Sequence, residues 1–419
     1  MLRLPSQAFH AAFSFNTPFA LEYAIRKIIF ENKEISMYKI HTMNKISPVG
    51  LIHFDAAKYA IDAQLNDADA VILRSADMHE LDYDALKSLK CVARAGAGVN
   101  NIPLPKCTDH GIVVFNTPGA NANAVAELVL LGMLAASRPI IRGTQWEKTL
   151  IGNGDEVPKL VEKGKSQFVG PELKGKTVGI VGLGAIGRIV ANDCAALGMN
   201  IIGFDPFLNE ENAKLLPAGT KVVADIDELY PACDYISLHV PQTPETKNMI
   251  CAATIAKMNP GVRVMNFSRG GLVNSADMVA ALAAGHIACY VTDFGDEALL
   301  QAENAICLPH LGASTPEAED NCAKMAATQT IDFLENGNII NSVNFPKCTL
   351  ARGNAAQRLT LTARNNADFL AQVAKAIPGI AAMTSQTRGD VSYAIVEVSA
   401  AVDTTKITGI DGLIGVRAV

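Results

Sequence analysis

The 419-residue sequence predicts an α/β protein of two doubly wound parallel sheets followed by a small C-terminal α+β unit. Three observations carry that reading. From about residue 38 to residue 308, short apolar runs alternate with stretches long enough to be helices, the pattern of parallel strands joined by helical crossovers. Those runs end repeatedly in Arg, Gly, Asn or His, and ligands on open parallel sheets bind at the carboxyl ends of strands. Hydrophobic residues make up 49% of the chain and charged residues 19%, ordinary globular values that exclude wholesale disorder.

Residues 1–36 come first. Phe9, Phe13, Phe15 and Phe19 stand among small polar residues, and Arg3 is the only basic residue before Arg26. An organellar presequence is Arg-rich, so this stretch is expected to be a poorly ordered extension ahead of a working start at Met37. A strand is predicted over 38–46. Further strands at 70–73, 91–93 and 112–115 end at Arg74-Ser75, Arg94-Ala-Gly-Ala-Gly98 and Asn116-Thr-Pro-Gly119. The span 147–174 is rich in Lys, Glu and Gly and reads as a surface loop. A second alternating block runs from 176 to 308, then one long helix over 315–335 and a polar linker over 347–357. The tail reads strand, helix, strand, strand (358–363, 369–376, 380–386, 392–398), closed by a strand at 414–419. The predicted units are therefore 38–140 with 310–346 for substrate, 141–309 for a cofactor, and 356–419 as a separate module.

With 36 basic against 42 acidic residues the formal charge is -6, which argues against nucleic acid or an anionic membrane as partner. No run approaches the roughly 18 apolar residues of a membrane span. The nine cysteines are scattered without a Cys-x-x-Cys pair, so free thiols, a reducing cytoplasmic setting and no metal are expected.

The sharpest motif is Thr177-Val-Gly-Ile-Val-Gly182-Leu-Gly184-Ala-Ile-Gly187. Glycines at this spacing are a weak signal alone, but here they follow an apolar strand and open a helix. Gly182 permits the tight turn, Gly184 lets the backbone approach a pyrophosphate, and Gly187 lets helix pack on strand. The helix N-terminus adds N–H donors and the positive end of its dipole. A second strand ends in Asp205, 18 residues beyond Gly187, where an acid would take the ribose 2′-hydroxyl. No Arg follows nearby to receive a 2′-phosphate, which favours NAD over NADP. A dinucleotide-binding, Rossmann-type unit is the reading.

Three further strand ends in the same block deliver Arg269, the acidic run Asp293 to Glu297, and His310. An Arg grips a carboxylate bidentately and keeps its charge. A His takes or returns the hydroxyl proton as hydride moves, and a carboxylate beside it favours imidazolium. Singly, each has a bland reading as a surface pair, a solvated acid or a turn residue. Together beside a nucleotide cradle they point to hydride transfer on a 2-hydroxy acid. His239, ahead of Pro241 and Pro244, is the rival base, read as shaping the cofactor side.

These pieces resemble the D-2-hydroxyacid dehydrogenase family, and more narrowly its phosphoglycerate-oxidising members. The shared motifs are Arg94-Ala-Gly-Ala-Gly-Val-Asn-Asn, Asn116-Thr-Pro-Gly, Ala126-Glu-Leu, the Gly182 to Gly187 turn, His239-Val-Pro-x-Thr, Asn266-Phe-Ser-Arg-Gly-Gly, Asp293-Phe-x-x-Glu, Pro309-His-Leu-Gly-Ala-Ser-Thr and Ser342-Val-Asn-Phe-Pro. They cover residues 38 to 346. The resemblance implies Arg269, Glu297 and His310 as the catalytic trio. It implies that Gly182, Gly184, Ala185, Ile186, Gly187, Asp205, His239, Phe267, Ser268, Asp293, Gly312 and Ala313 line NAD. It also implies that the amides near Ala97 and Gly98 hold the substrate carboxylate with Arg269. Arg74 and Ser75, helped by Arg94, would contact the phosphate of a phosphorylated 2-hydroxy acid. The implied reaction is NAD-dependent oxidation of 3-phosphoglycerate to 3-phosphohydroxypyruvate, the entry to serine synthesis, in a homodimer or homotetramer.

Three departures stand out. The acid loop is Asp293-Phe-Gly-Asp-Glu297 in place of the family's Asp-Val-Phe, and only 13 residues separate Glu297 from His310. The tail looks like an ACT domain, the family's regulatory module, yet its first turn reads Ala363-Arg-Asn-Asn-Ala-Asp368 where His-x-Asn-x-Pro-Gly is usual, and Gly379 stands where a ligand Asn would fall. Asp368 adds bulk and negative charge there, so the tail is expected to support self-association without binding serine in the usual way. Glyoxylate, hydroxypyruvate or D-lactate chemistry, and an NAD-sensing protein on the same fold, stay open as alternatives.

Overall fold

In the computed structural model, which describes residues 37–419, β1 (Tyr38–Met43) lies between β2 (Tyr59–Ile61) and β3 (Ala70–Leu73). Strands β4 (Cys91–Arg94) and β5 (Val113–Phe115) extend this parallel sheet to the order β2-β1-β3-β4-β5. β3 is buried along its whole length, as a strand covered on both faces must be. The extension expected over residues 1–36 lies outside the described residues. The strand predicted over 38–46 stops at Met43, because Asn44 adopts a left-handed backbone (φ 72°).

Seven strands form the second sheet: β6 (Thr177–Val181), β7 (Asn200–Phe204), β8 (Lys221–Val223), β9 (Tyr235–Leu238), β10 (Val262–Asn266), β11 (Ile287–Thr292) and β12 (Ala305–Cys307). All pair in parallel, in the order β12-β11-β10-β9-β6-β7-β8. The chain builds outward from β6 to β8, then returns to add β9 on the other side of β6. That reversal opens a crevice at the carboxyl edge.

Two long helices join the sheets. The sequence reading placed residues up to 140 with the first sheet. Instead the helix Ala122–Ser137 packs on the second, with Val125, Ala126, Val129 and Met133 sharing a core with Ile180, Met265 and Val291. It approaches closely at Gly132, where a Cβ would stand 3.0 Å from the Phe267 ring. The return helix Pro316–Asn336 is capped by the Thr315 hydroxyl and ended by Gly337 at φ 73°. It lays Cys322, Ala323, Ala326 and Ala327 on the first sheet. The loop predicted over 147–174 holds instead the end of helix Ile140–Lys148 and all of helix Val157–Gly164. Neither buries a residue, and Lys and Glu are good helix formers, so their abundance there marked exposure rather than irregularity.

The tail is an antiparallel sheet of β13 (Gln357–Arg364), β14 (Ile380–Arg388), β15 (Val391–Val398) and β16 (Leu413–Ala418), ordered β14-β15-β13-β16, with the helix Phe369–Ala376 on one face. Its other face presses Val391, Tyr393 and Ile395 into the core of the first sheet. The stretch expected as a polar linker is mostly exposed but is tied down by its backbone. Arg358, 1% exposed, pairs with buried Glu397 and donates to the carbonyls of Asn336, Leu350 and Ala351. At the first tail turn Asn366 is tied to Gln372 and to the Asp411 carbonyl. Among the described residues no single helix is long and apolar enough to cross a membrane, and no His, Cys, Asp and Glu cluster could hold a metal.

Candidate active site

The glycine turn lies at the centre of the second sheet. Gly182 ends β6 at φ 94°, and a Cβ there would stand 2.5 Å from the His239 carbonyl. At Gly187 a Cβ would come within 1.9 Å of the Gly182 carbonyl, so the helix Ala185–Ala196 can rest on the turn only as glycine allows. Over Gly184, by contrast, a Cβ would meet nothing within 4 Å. Asp205 follows β7 beside this opening, its carboxylate accepting from the amides of Leu183 (2.9 Å) and Phe207 (2.9 Å).

His239 closes the other side, its amide donating to the Val181 carbonyl at 2.7 Å. Its Nε2 lies 2.9 Å from the Ser237 hydroxyl, while Nδ1 is buried without a partner among the described residues. Burial pushes this imidazole down to about 4, so it stays neutral at physiological pH. A buried neutral ring fits a cofactor wall better than a proton carrier.

The register Asn266↔Thr292↔Cys307 aligns the carboxyl ends of β10, β11 and β12. From these ends rise Arg269, Asp293 and His310. Asn266, fully buried, donates to the Arg269 carbonyl (3.0 Å) and orients the Ser268 amide, while the Ser268 hydroxyl donates to Leu238 (2.6 Å). Asp293 is 6% exposed, with Oδ1 unpartnered among the described residues. Burial raises its carboxyl above the ordinary range, while the charges of His310 and Arg269 pull it back. The imidazole of His310 meets Phe294 edge to face, ring centres 4.9 Å apart. Its nitrogens have no hydrogen-bond partner among the described residues. Glu297 opens the exposed helix Glu297–Gln301 and makes neither a hydrogen bond nor an ion pair with His310. The acid whose surroundings include His310 is thus Asp293. Gly312 lies beside it, a Cβ there standing 3.8 Å from Asp293 Oδ2.

The first sheet contributes the opposite wall. Arg94 leaves β4 half-buried, its Nε donating to Asn101 (3.1 Å) and its guanidinium lying over Gly96. Burial lowers its hold on a proton, and the charges of Arg74 and Arg269 act in the same direction. Arginines from both sheets therefore converge on one region. Arg74 is engaged by Glu319 of the return helix at 2.5 Å. Asn44 accepts from the Ser75 and Ala76 amides, and Asn116 donates to the Ala97 carbonyl. The sequence reading gave no role to Asn44, Asn101, Asn266 or Phe294, although the last three lie in motifs it quoted. For Asn266 the signal was present: a polar residue ending an otherwise apolar strand.

Residues 130–312 match the family described as D-isomer specific 2-hydroxyacid dehydrogenase, NAD binding domain. The D-3-phosphoglycerate dehydrogenase of Synechocystis is 36% identical over 340 residues, covering 76% of this chain and 58% of that protein. That of Rattus norvegicus is 36% identical over 302 residues, covering 70% and 54%. The chain thus spans somewhat more than half the length of these relatives. A solved NAD+-bound 3-phosphoglycerate dehydrogenase from Entamoeba histolytica is 28% identical, with a TM-score of 0.57 over 74% of this chain and 99% of that one. A D-lactate dehydrogenase from Treponema pallidum, 23% identical with a TM-score of 0.62, shares the fold.

Proposed function

We propose that this chain is a D-isomer specific 2-hydroxyacid dehydrogenase that oxidises 3-phosphoglycerate to 3-phosphohydroxypyruvate with NAD, the step that opens serine synthesis. What supports the substrate is that Arg74 and Arg94 stand at the ends of the adjacent strands β3 and β4, with Arg94 within the influence of the charges of Arg74 and Arg269. A substrate with a carboxylate at one end and a phosphate at the other needs cationic donors at both.

The glycine turn fits a dinucleotide. The positions where a Cβ would strike backbone are glycines, the space over Gly184 is open, and Asp205 stands beside it. Gly182, Gly184, Ala185, Ile186 and Gly187 would hold the pyrophosphate. His239, Phe267, Ser268, Asp293, Gly312 and Ala313 would line the nicotinamide side. Bound NAD supplies the hydride acceptor. Arg269 grips the substrate carboxylate with the amides of Ala97 and Gly98, and draws electron density from the 2-oxygen. His310 takes the hydroxyl proton at a ring nitrogen, its orientation fixed by Phe294. Glu297 is the carboxylate assigned to steady the resulting imidazolium. Hydrogen bonds of this kind tighten when substrate is in place. Arg74, Ser75 and Arg94 receive the phosphate, which displaces Glu319 from Arg74.

The first sheet and the return segment 310–346 serve as the substrate unit, and 141–309 with the helix Ala122–Ser137 packed on it as the cofactor unit. The tail is an ACT-like module. Exposed Leu131, Leu134, Ile140 and Ile141 support self-association as a dimer or tetramer, and nine free cysteines suit a cytoplasmic setting. The test of the phosphate site is Arg74→Ala. KM for 3-phosphoglycerate is expected to rise about 10- to 100-fold, as loss of a charged hydrogen bond implies, with unphosphorylated glycerate little affected. Equal losses on both substrates would remove Arg74 from phosphate recognition.

A further inference from the structure

A second cationic cavity lies away from the cleft, at the seam between the first sheet and the tail. Its volume is about 290 Å³, at the small end of metabolite pockets. Lys87 and Lys90 line it from the first unit, and Thr360, Thr362, Gly415 and Arg417 from the tail. The tail residues share one sheet face by register, since Thr360 opposes Arg417 and Thr362 opposes Gly415. No Asp or Glu lines the cavity.

The charges are unevenly satisfied. Lys90 pairs with Asp69. Arg417 donates to the Leu334 and Phe333 carbonyls at 3.0 and 2.7 Å and stacks on the Phe333 ring, with no carboxylate in ion-pair range among the described residues. Lys87 is exposed and likewise has no acidic partner among the described residues. Two uncompensated cations, a third nearby and two threonines bound one small space. A carboxylate needs fewer donors than this, whereas a tetrahedral dianion can use them all.

We propose that this seam is a binding site for a small phosphate-bearing anion, separate from the catalytic cleft. The anion bridges Lys87 of the first unit to Arg417 of the tail, so its binding joins the two. Gly415 gives a clean way to block it, because a Cβ there meets nothing within 4 Å and its φ lies outside the left-handed region.

The test uses the full chain and inorganic phosphate. Calorimetry on wild type is expected to show two classes of phosphate site, and on Gly415→Leu and Lys87→Ala only one, with the seam affinity at least tenfold weaker. Both variants should keep the wild-type melting temperature and turnover. Crystals soaked in tungstate should show anomalous density between Lys87 and Arg417 in wild type and none in Gly415→Leu. Tungstate in the cleft alone, or wild-type stoichiometry in both variants, would overturn the proposal.

Discussion

Asp293 and Glu297 are four residues apart, yet their surroundings differ sharply. Asp293 is buried within the influence of His310 and Arg269, whereas Glu297 is exposed at a helix start. The two can be separated by kinetics. A carboxylate beside the base favours its protonated form, so removing it should move the acidic limb of the kcat/KM profile for oxidation to lower pH. That displacement is expected for Glu297→Gln; finding it in Asp293→Asn alone would transfer the role to Asp293. His310→Ala should cut turnover by about 10²- to 10⁴-fold while leaving NAD affinity nearly unchanged. His239 makes a prediction about stability. The unfolded chain protonates this ring near 6.5 and the folded chain only near 4. Stability is therefore complete above the first value and falls by about 3 kcal/mol as pH drops to the second. His239→Gln should flatten that fall in melting experiments, and an unaltered pH dependence would mean that the ring is not buried neutral. The strand-end placement of Arg269 and His310 was legible in the sequence because each follows an apolar strand at a fixed offset. The roles of Asn44 and Asn101 were not, because their work is hydrogen bonding to backbone or side chains that the fold brings near, and for Asn44 nothing local marks it out from any turn residue.

The glycine turn shows how an element can be tested by where side chains would go. At Gly187 an added methyl collides with backbone that cannot move without opening the turn, while at Gly184 it projects into free space. Gly187→Ala should therefore lower the melting temperature and abolish NAD binding. Gly184→Ala should leave melting unchanged and weaken NAD at least tenfold, since the methyl occupies the approach of the pyrophosphate. Normal NAD affinity in Gly184→Ala would contradict the cradle. This strand–turn–helix was readable because the glycine spacing follows an apolar strand and opens a helix, with Gly182 and Gly187 answering local steric demands. The two helices between residues 140 and 164 were not read as helices, because they bury nothing and the one clear apolar period, Val157, Leu160 and Val161, lasts barely two turns among Lys, Glu and Gly.

At the scale of the whole molecule, three sheets form two clefts of different character. The crevice at β6 and β9 lies between the dinucleotide turn and the arginines of the first sheet, and the tail is fastened to that first sheet by Val391, Tyr393 and Ile395 in its core and by Arg358 donating to the Asn336 carbonyl of the return helix. Four strands and a helix of the tail could be read from the sequence, but its docking could not. The polar run over 347–357 gave no sign that its carbonyls would receive a buried arginine. The return helix connects the two regions. Glu319 near its start holds Arg74, and carbonyls near its end hold Arg417. The central claim concerns the substrate of the first cleft, and it is tested most directly by NADH formation from NAD with purified chain on 3-phosphoglycerate, glycerate, D-lactate and 2-hydroxyglutarate. Turnover strongest on 3-phosphoglycerate is the predicted result. Turnover confined to an unphosphorylated acid, or none on any of the four despite measurable NADH binding, would contradict it.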